Sequence, residues 1–489
     1  MSSTLASIAQ KLHKELDDLI QNASIVEEMP SSVHAIEEQL WVGMLGLGRE
    51  LLQLHFEARY EAEVVHDWVS VEGEWYAYQR TSHRGYVSLF GEVQVKRAYY
   101  LNTAQGGVCP LDAVLGLPER CYSDSVQERL SGLNVWVPQA HSLALMERFL
   151  GLKIAKRSLQ SSLSDQAHWV DSYYQQRAVS MTPVEDSLLV ATADGKGIPM
   201  TRADSPPVPA RRSKGDKKTA KKEAIVTAVY SVAPYPRDSQ DILKALLSDT
   251  ADIPPSDTPR PVPSNKQTFG TLAGKEAALT QLAHQVTLRE ASAFFAYRVA
   301  LTDGSLALQH HMLAHLPSFT LVLDIIHATE YLWDAANARF GETSPHRLAW
   351  VRQALTWLLE NHLDDLLDDL TSQVSGQTAS QQETLAHVAA YLRRNRPFMD
   401  YQRYLALGWP IGTGVIEGAC RHLVKDRFEQ AGMRWSIAGA QALLELRSVA
   451  FNADWDDFQH FRRQQSHLQR YHTPYPDALP DILALEAAA

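Results

Sequence analysis

Apolar residues recur every three or four positions over residues 3–22 (Leu5, Ile8, Leu12, Leu16, Ile20) and again over 33–57 (Ile36, Leu40, Leu47, Leu51, Leu54). This spacing predicts two amphipathic, core-facing helices. Between 85 and 100 the period drops to two. Val87, Leu89, Val93 and Val95 alternate about Phe90-Gly91, the pattern of a β-hairpin. Residues 105–118 read as loop, and helical spacing returns near 124. Over 139–171 two helical stretches meet at Gly151, with Lys153, Lys156 and Arg157 flanking the second. A DNA-reading helix-turn-helix and a plain helical hairpin share that pattern.

From 187 the pattern becomes α/β. The uncharged run 187–193 predicts a strand ending in Asp194-Gly195-Lys196-Gly197, and 224–234 predicts a second, antiparallel to the first. Between them lies a basic tip with Arg211, Arg212, Lys214, Lys217, Lys218, Lys221 and Lys222. Pro254, Pro255, Pro259, Pro261 and Pro263 argue against regular structure over 250–266. A helix over 274–292 precedes a third strand, 295–302, that ends in Asp303-Gly304. A fourth strand, 319–324, ends in Asp324, with His327 three residues on. Residues 328–405 are helical throughout, with Val351, Leu355, Leu359, Leu363, Leu366 and Leu370 on one face. Helix continues to about 451, the stretch DWDDFQHFRRQQSHLQRYH at 454–472 mixes aromatic and basic residues, and the last residues read as loosely ordered. The resulting regions are 1–122, 123–183, 184–327, 328–405, 406–455 and 456–489.

The stretch PIGTGVIEGACRHLVKDRFEQAGMRW, residues 410–435, concentrates chemistry. A Gly-rich turn, with Thr413 as the expected cap, opens a helix carrying Glu417 in its first turn. Arg421 and Lys425 follow at i+4 and i+8, so acid and bases share one helix face. Arg434 is a further candidate phosphate contact. Trp435 suits either an unpaired base or a core position.

Composition narrows the class. A chain of 489 residues is long enough for roughly two to four domains. The net charge of −11 argues against a general nucleic-acid coat, but DNA affinity depends on local phosphate neutralisation. No apolar run has membrane-spanning length and the first residues are polar, so a cytoplasmic protein is expected. Cys109, Cys121 and Cys420 are too scattered for a Cys-x-x-Cys metal site.

ADGKGIPM (193–200), LTDG (301–304), DIIH (324–327) and PIGTGVIEGACRHLVKDR (410–427) together resemble the ISKra family of bacterial insertion-sequence transposases. That family is similar to the Mutator-like DDE transposases. The resemblance implies an α/β, RNase H-like core with a mixed sheet, an all-α insertion and an α+β N-terminal DNA-binding region. It places the catalytic, metal-holding acids on Asp194, Asp303 and Glu417, and an acid-x-x-His signature on Asp324 and His327. It also implies two Mg²⁺ or Mn²⁺ ions, DNA partners in the form of terminal inverted repeats and target, and a homo-oligomer. One departure stands out: LNTAQGGVCPLD, after the hairpin, has Cys109 where relatives are expected to carry a Cys-rich knuckle. Two other classes fit the residues: a Mg²⁺-dependent nuclease of the same fold without strand transfer, and a catalytically silent DNA-binding protein derived from a transposase.

Overall fold

The computed structural model describes residues 3–24, 32–177, 186–204, 221–247, 259–372 and 377–476. The chain divides into two compact units, 1–169 with 455–489, and 170–454. None of the described helices is long and apolar enough to cross a membrane.

In the first unit, α1 (Ser3–Ser24) and α2 (Val33–Ala62) precede a four-stranded antiparallel sheet of β1 (Trp68–Val71), β2 (Glu74–Ser88), β3 (Gly91–Asn102) and β4 (Gly106–Val108). The two helices form as expected, but they are not core helices. Leu12, Leu47 and Phe56 are their buried residues, whereas Ile20 and Leu51 are more than half exposed. The hairpin turns at Gly91, which pairs with Ser88. After α3 (Pro110–Val114) come α4 (Asp124–Trp136), α5 (Gln139–Leu150) and α6 (Lys156–Ala167). Gly151 ends α5 in the left-handed region at φ +67°, as a tight corner requires. The residues of the aromatic and basic C-terminal stretch are helical as far as Tyr471. They form α19 (Trp455–Tyr471), whose Arg462 and Arg463 pair with Asp124 and Glu128 of α4 and whose Gln459 donates to Gln166 of α6.

The second unit begins with α7 (Val170–Gln176) and is built on a mixed sheet. Its strands are β5 (Leu188–Pro199), β6 (Lys221–Val232), β7 (Ser264–Thr271), β8 (Tyr297–Thr302) and β9 (Thr320–Leu323), in the order β7-β6-β5-β8-β9. The β5–β6–β7 pairs are antiparallel, and β5–β8–β9 are parallel. The helices between strands are α8 (Ser239–Leu247), α9 (Lys275–Glu290) and α10 (Leu306–His315). The insertion comprises α11 (Ile325–Phe340), α12 (His346–Leu359), α13 (Leu363–Thr371), α14 (Ala379–Asn395) and α15 (Tyr401–Ala406). It is followed by α16 (Gly414–Ala419), a π-helical turn (Cys420–Lys425), α17 (Asp426–Phe428) and α18 (Ile437–Phe451).

Alternation along β5 sorts the layers. Leu188 and Val190 pack with the insertion, and Ile198 and Met200 pack with α16 to α18. Leu189, Ala191 and Ala193 point the other way, against α9 and α10. Two strand expectations need correction. β5 does not stop at 193, because β6 pairs with it through Pro199↔Lys221 and buries Ile198 and Met200. While 259–263, with its three prolines, has no regular structure, β7 begins at Ser264, inside the last residues of the 250–266 stretch expected to be irregular. Its polar sequence is held by side chains: Asn452 accepts from Thr268 N, Ser448 from Gly270 N and Gln441 from Leu272 N. Such partners satisfy an edge strand that lacks an apolar signature.

Candidate active site

Asp194 lies within β5, opposite Val226 of β6, rather than at a strand end. Its even position puts it on the face where the insertion core and the α16–α18 core meet. The side chain is partly buried. Oδ1 accepts the Gly195 N–H at 2.6 Å and Oδ2 accepts the Cys420 thiol at 3.5 Å. Burial pushes the Asp194 carboxyl above the usual carboxylate range. The Gly195 and Cys420 hydrogen bonds oppose that rise, the negative charge of Asp303 adds to it, and His327 counters it. Burial, with Asp194 beside it, holds the Cys420 thiol far above its ordinary value, so it is a neutral donor.

Asp303 follows β8 in a turn through Gly304, at φ +88°. Its Oδ1 accepts the Ser305 N–H at 2.8 Å, at the entry to α10. Insertion helix α14 grips this turn. The Tyr391 hydroxyl donates to the Asp303 carbonyl at 3.0 Å, and Arg394 donates to the Gly304 carbonyl at 2.9 Å. A Cβ at Gly304 would stand 2.5 Å from the Tyr391 hydroxyl oxygen, so both the backbone angle and the close approach require glycine.

Asp324 caps α11 and is fully buried. Oδ1 accepts Ile326 N at 3.0 Å and Thr413 N at 3.3 Å, and Oδ2 accepts the Thr413 hydroxyl at 2.5 Å and His327 Nδ1 at 2.6 Å. The hydrogen bond to Asp324, with the charge of that carboxylate, raises His327 to about 9 against the lowering effect of burial. The ring is therefore an imidazolium at neutral pH, held beside the other acids.

Glu417 is exposed on α16. Thr413 does not cap this helix by its side chain. Its hydroxyl is committed to Asp324 and stands 3.4 Å from Glu417 Oε1. Donor atoms of Asp324, His327 and Glu417 lie within 4.8 Å of one another, a spacing that can hold a cation. Asp324 accepts from four protein donors, one of them His327 Nδ1, and Glu417 is the exposed member of the group. We read the group as a network that positions Glu417.

The expected run of Glu417, Arg421 and Lys425 on one α-helical face is replaced by a π turn, which changes the residues per turn. Arg447 of α18 donates to the carbonyls of Leu423, at 2.7 Å, and His422 within that turn. Arg421 faces Asp426 at 3.7 Å rather than Glu417, and both Arg421 and Lys425 remain exposed. Trp435 is a core residue and not a base-stacking one. Its backbone bridges to Met200 and its indole N–H donates to the Phe428 carbonyl at 3.2 Å. The extended backbone that buries Trp435 turns Arg434 outward. Lys221 and Lys222 lie on β6, Lys221 paired with Glu429. Arg211, Arg212, Lys214, Lys217 and Lys218 lie outside the described residues.

Sequence reasoning missed the roles of Cys420, Tyr391, Arg394 and Thr413. Only Thr413 had a local signal, its place in Gly-Thr-Gly. Compared with known families and characterised proteins, the chain matches no family model and no curated protein.

Proposed function

We propose that the protein is a DDE transposase, an enzyme that cleaves DNA at its element's inverted-repeat ends and joins the freed 3′-OH to target DNA. The observation that carries this reading is the order of three acid-bearing strands. β8, preceding Asp303, lies beside β5, which carries Asp194, and β9, preceding Asp324, lies one place further out. That is the order expected of an RNase H-like sheet, and a helix bearing Glu417 packs on the same face. Asp194, Asp303 and Glu417 offer an all-oxygen donor set. Burial raises the Asp194 carboxyl and the charge of Asp303 adds to that rise, a cost that a bound divalent cation would relieve. These residues suit Mg²⁺ or Mn²⁺, hard cations that prefer carboxylates and water. Bound as a pair, such ions would activate the attacking oxygen and stabilise the leaving one.

The chain's own residues have separable tasks in this reading. Asp194 and Asp303 hold the cation from adjacent strands, and Glu417 reaches it from α16. The Asp324–His327 pair fixes Thr413 and presents a positive charge toward the phosphodiester. Arg421, Lys425 and Arg434 are exposed cations on the segment that follows Glu417 and contact phosphates. A second copy of the chain is the expected partner, since two element ends must be brought together.

The test combines the protein with a labelled end carrying the inverted repeat that flanks its reading frame, a target plasmid and Mg²⁺. Joined product supports the transposase reading, cleavage alone means a nuclease, and a mobility shift alone means a silent DNA-binding protein. Neutralising Arg421, Lys425 and Arg434 together should weaken binding across sequences. Each lost phosphate contact lowers the log–log salt slope by about 0.9, so the triple variant should lose roughly 2–3. An unchanged slope would remove these residues from the interface.

A further inference from the structure

A second cluster of ligand-type side chains lies on the opposite layer of the same unit. α9 and α10 cover the sheet face formed by Leu189, Ala191 and Ala193, away from Asp194. His311 and His315 stand at i and i+4 on α10, and so on one helix face. Both meet one oxygen of Glu276, in the first turn of α9: His311 Nδ1 and His315 Nε2 each lie 3.1 Å from Glu276 Oε2. The imidazoles are partly buried and stacked at 6.3 Å, and one donor atom from each of the three residues lies within 4.8 Å of the others. Bonds of about 2.0–2.1 Å in a tetrahedron put neighbouring donors about 3.3 Å apart, so the two 3.1 Å separations need almost no adjustment.

We propose that Glu276, His311 and His315 form a binding site for a borderline divalent transition metal of the zinc class. Two imidazole nitrogens and one carboxylate oxygen suit such an ion and not Mg²⁺, which demands oxygen. Three protein ligands leave a fourth position for water. The consequence is mechanical. α10 begins at Leu306, three residues after Asp303, and coordination ties this helix to α9. The metal thus braces the element that follows the Asp303 turn, and it is distinct from the ions proposed for the carboxylates.

Zinc binding is measured by isothermal titration on the full chain, with Co²⁺ absorption as a report on coordination. Tight binding of one equivalent is expected, with the intense visible bands of four-coordinate cobalt. At free zinc about 100-fold above Kd, the melting temperature should rise on the order of 5 °C. His311→Ala and Glu276→Gln should each weaken binding more than about 100-fold, beyond the loss caused by removing an outer-shell partner. Asp194→Asn should leave the zinc equivalent and the cobalt bands intact, which separates this site from the carboxylates. Circular dichroism checks that the variants fold, and Glu276→Gln, at an exposed position, serves if His311→Ala does not. A wild-type chain that binds no zinc, or variants that bind as the wild type does, would overturn the proposal.

Discussion

Asp194→Asn is expected to abolish DNA cleavage, by at least about 10³-fold, in a chain that still folds and still binds its inverted repeat. Metal-assisted stabilisation of transition-state charge is worth several kcal/mol, and about 4 kcal/mol corresponds to that factor. The amide keeps an oxygen for the Gly195 N–H, so the local backbone bond survives. Stability should not fall. The Asp194 carboxyl has a raised value in the folded chain, so its ionisation disfavours the folded state as pH rises above the ordinary carboxylate range. Asparagine removes that cost together with the repulsion from Asp303. Asp303→Asn should behave alike, since its Oδ1 contact with Ser305 N is one an amide oxygen can accept. Single-turnover cleavage, gel shift and thermal melting on the same preparations check this. Cleavage at wild-type rate, or binding lost in proportion to cleavage, would show that these acids do not hold the metal.

Asp324→Asn should instead damage the fold. The buried carboxylate accepts four hydrogen bonds, and two of their donors, His327 Nδ1 and the Thr413 hydroxyl, converge on one oxygen. An amide must present an N–H to one of these sets of donors, which leaves a buried mismatch and an imidazolium without its partner. A loss of about 3–5 kcal/mol at neutral pH follows, or roughly 6–10 °C in the melting temperature. The pH dependence has a definite sign. His327 is raised from 6.5 to about 9, so its pairing contributes fully below pH 6.5 and is lost as pH rises through 9. The ring is about one-third exposed, 32% by side-chain area, so the nominal effect is discounted for solvent screening to roughly 1–2 kcal/mol. The variant should therefore lack the fall in stability that the wild type shows between pH 6.5 and 9. An unchanged melting curve with cleavage abolished would make Asp324 a metal ligand and not a positioning residue.

Much of this site was legible locally. Asp303-Gly304 after β8, Asp-x-x-His at the end of β9 and the Gly-Thr-Gly-x-x-Glu turn mark positions where backbone leaves a sheet or enters a helix, and those signals lie within a few residues, whereas Asp194-Gly195 lies inside β5. Apolar periodicity likewise located the insertion, because Leu355, Leu359 and Leu366 must all face one core. The same periodicity misled for α1 and α2. A helical spacing of apolar residues specifies a stripe but not what covers it, and Leu16, Leu40 and Leu51 remain exposed.

The sequence alone determined the two N-terminal helices, the hairpin about Gly91, the helical insertion, the acids at the ends of β8 and β9, and the pairing of Asp324 with His327, all products of short-range geometry. Tertiary structure alone decided the rest. β7 pairs with β6, and Ser448 and Asn452 of a distant segment satisfy its outer backbone edge, with Gln441 just beyond its end. The π turn is supported by Arg447, and it carries Arg421 and Lys425 off the face that an α-helix would have shared with Glu417. Cys420 reaches Asp194 across 226 residues, and Tyr391 reaches the Asp303 carbonyl across 88. Hydrogen bonds over such separations leave no periodic trace in a chain, since each partner satisfies the other only once the layers between them have packed.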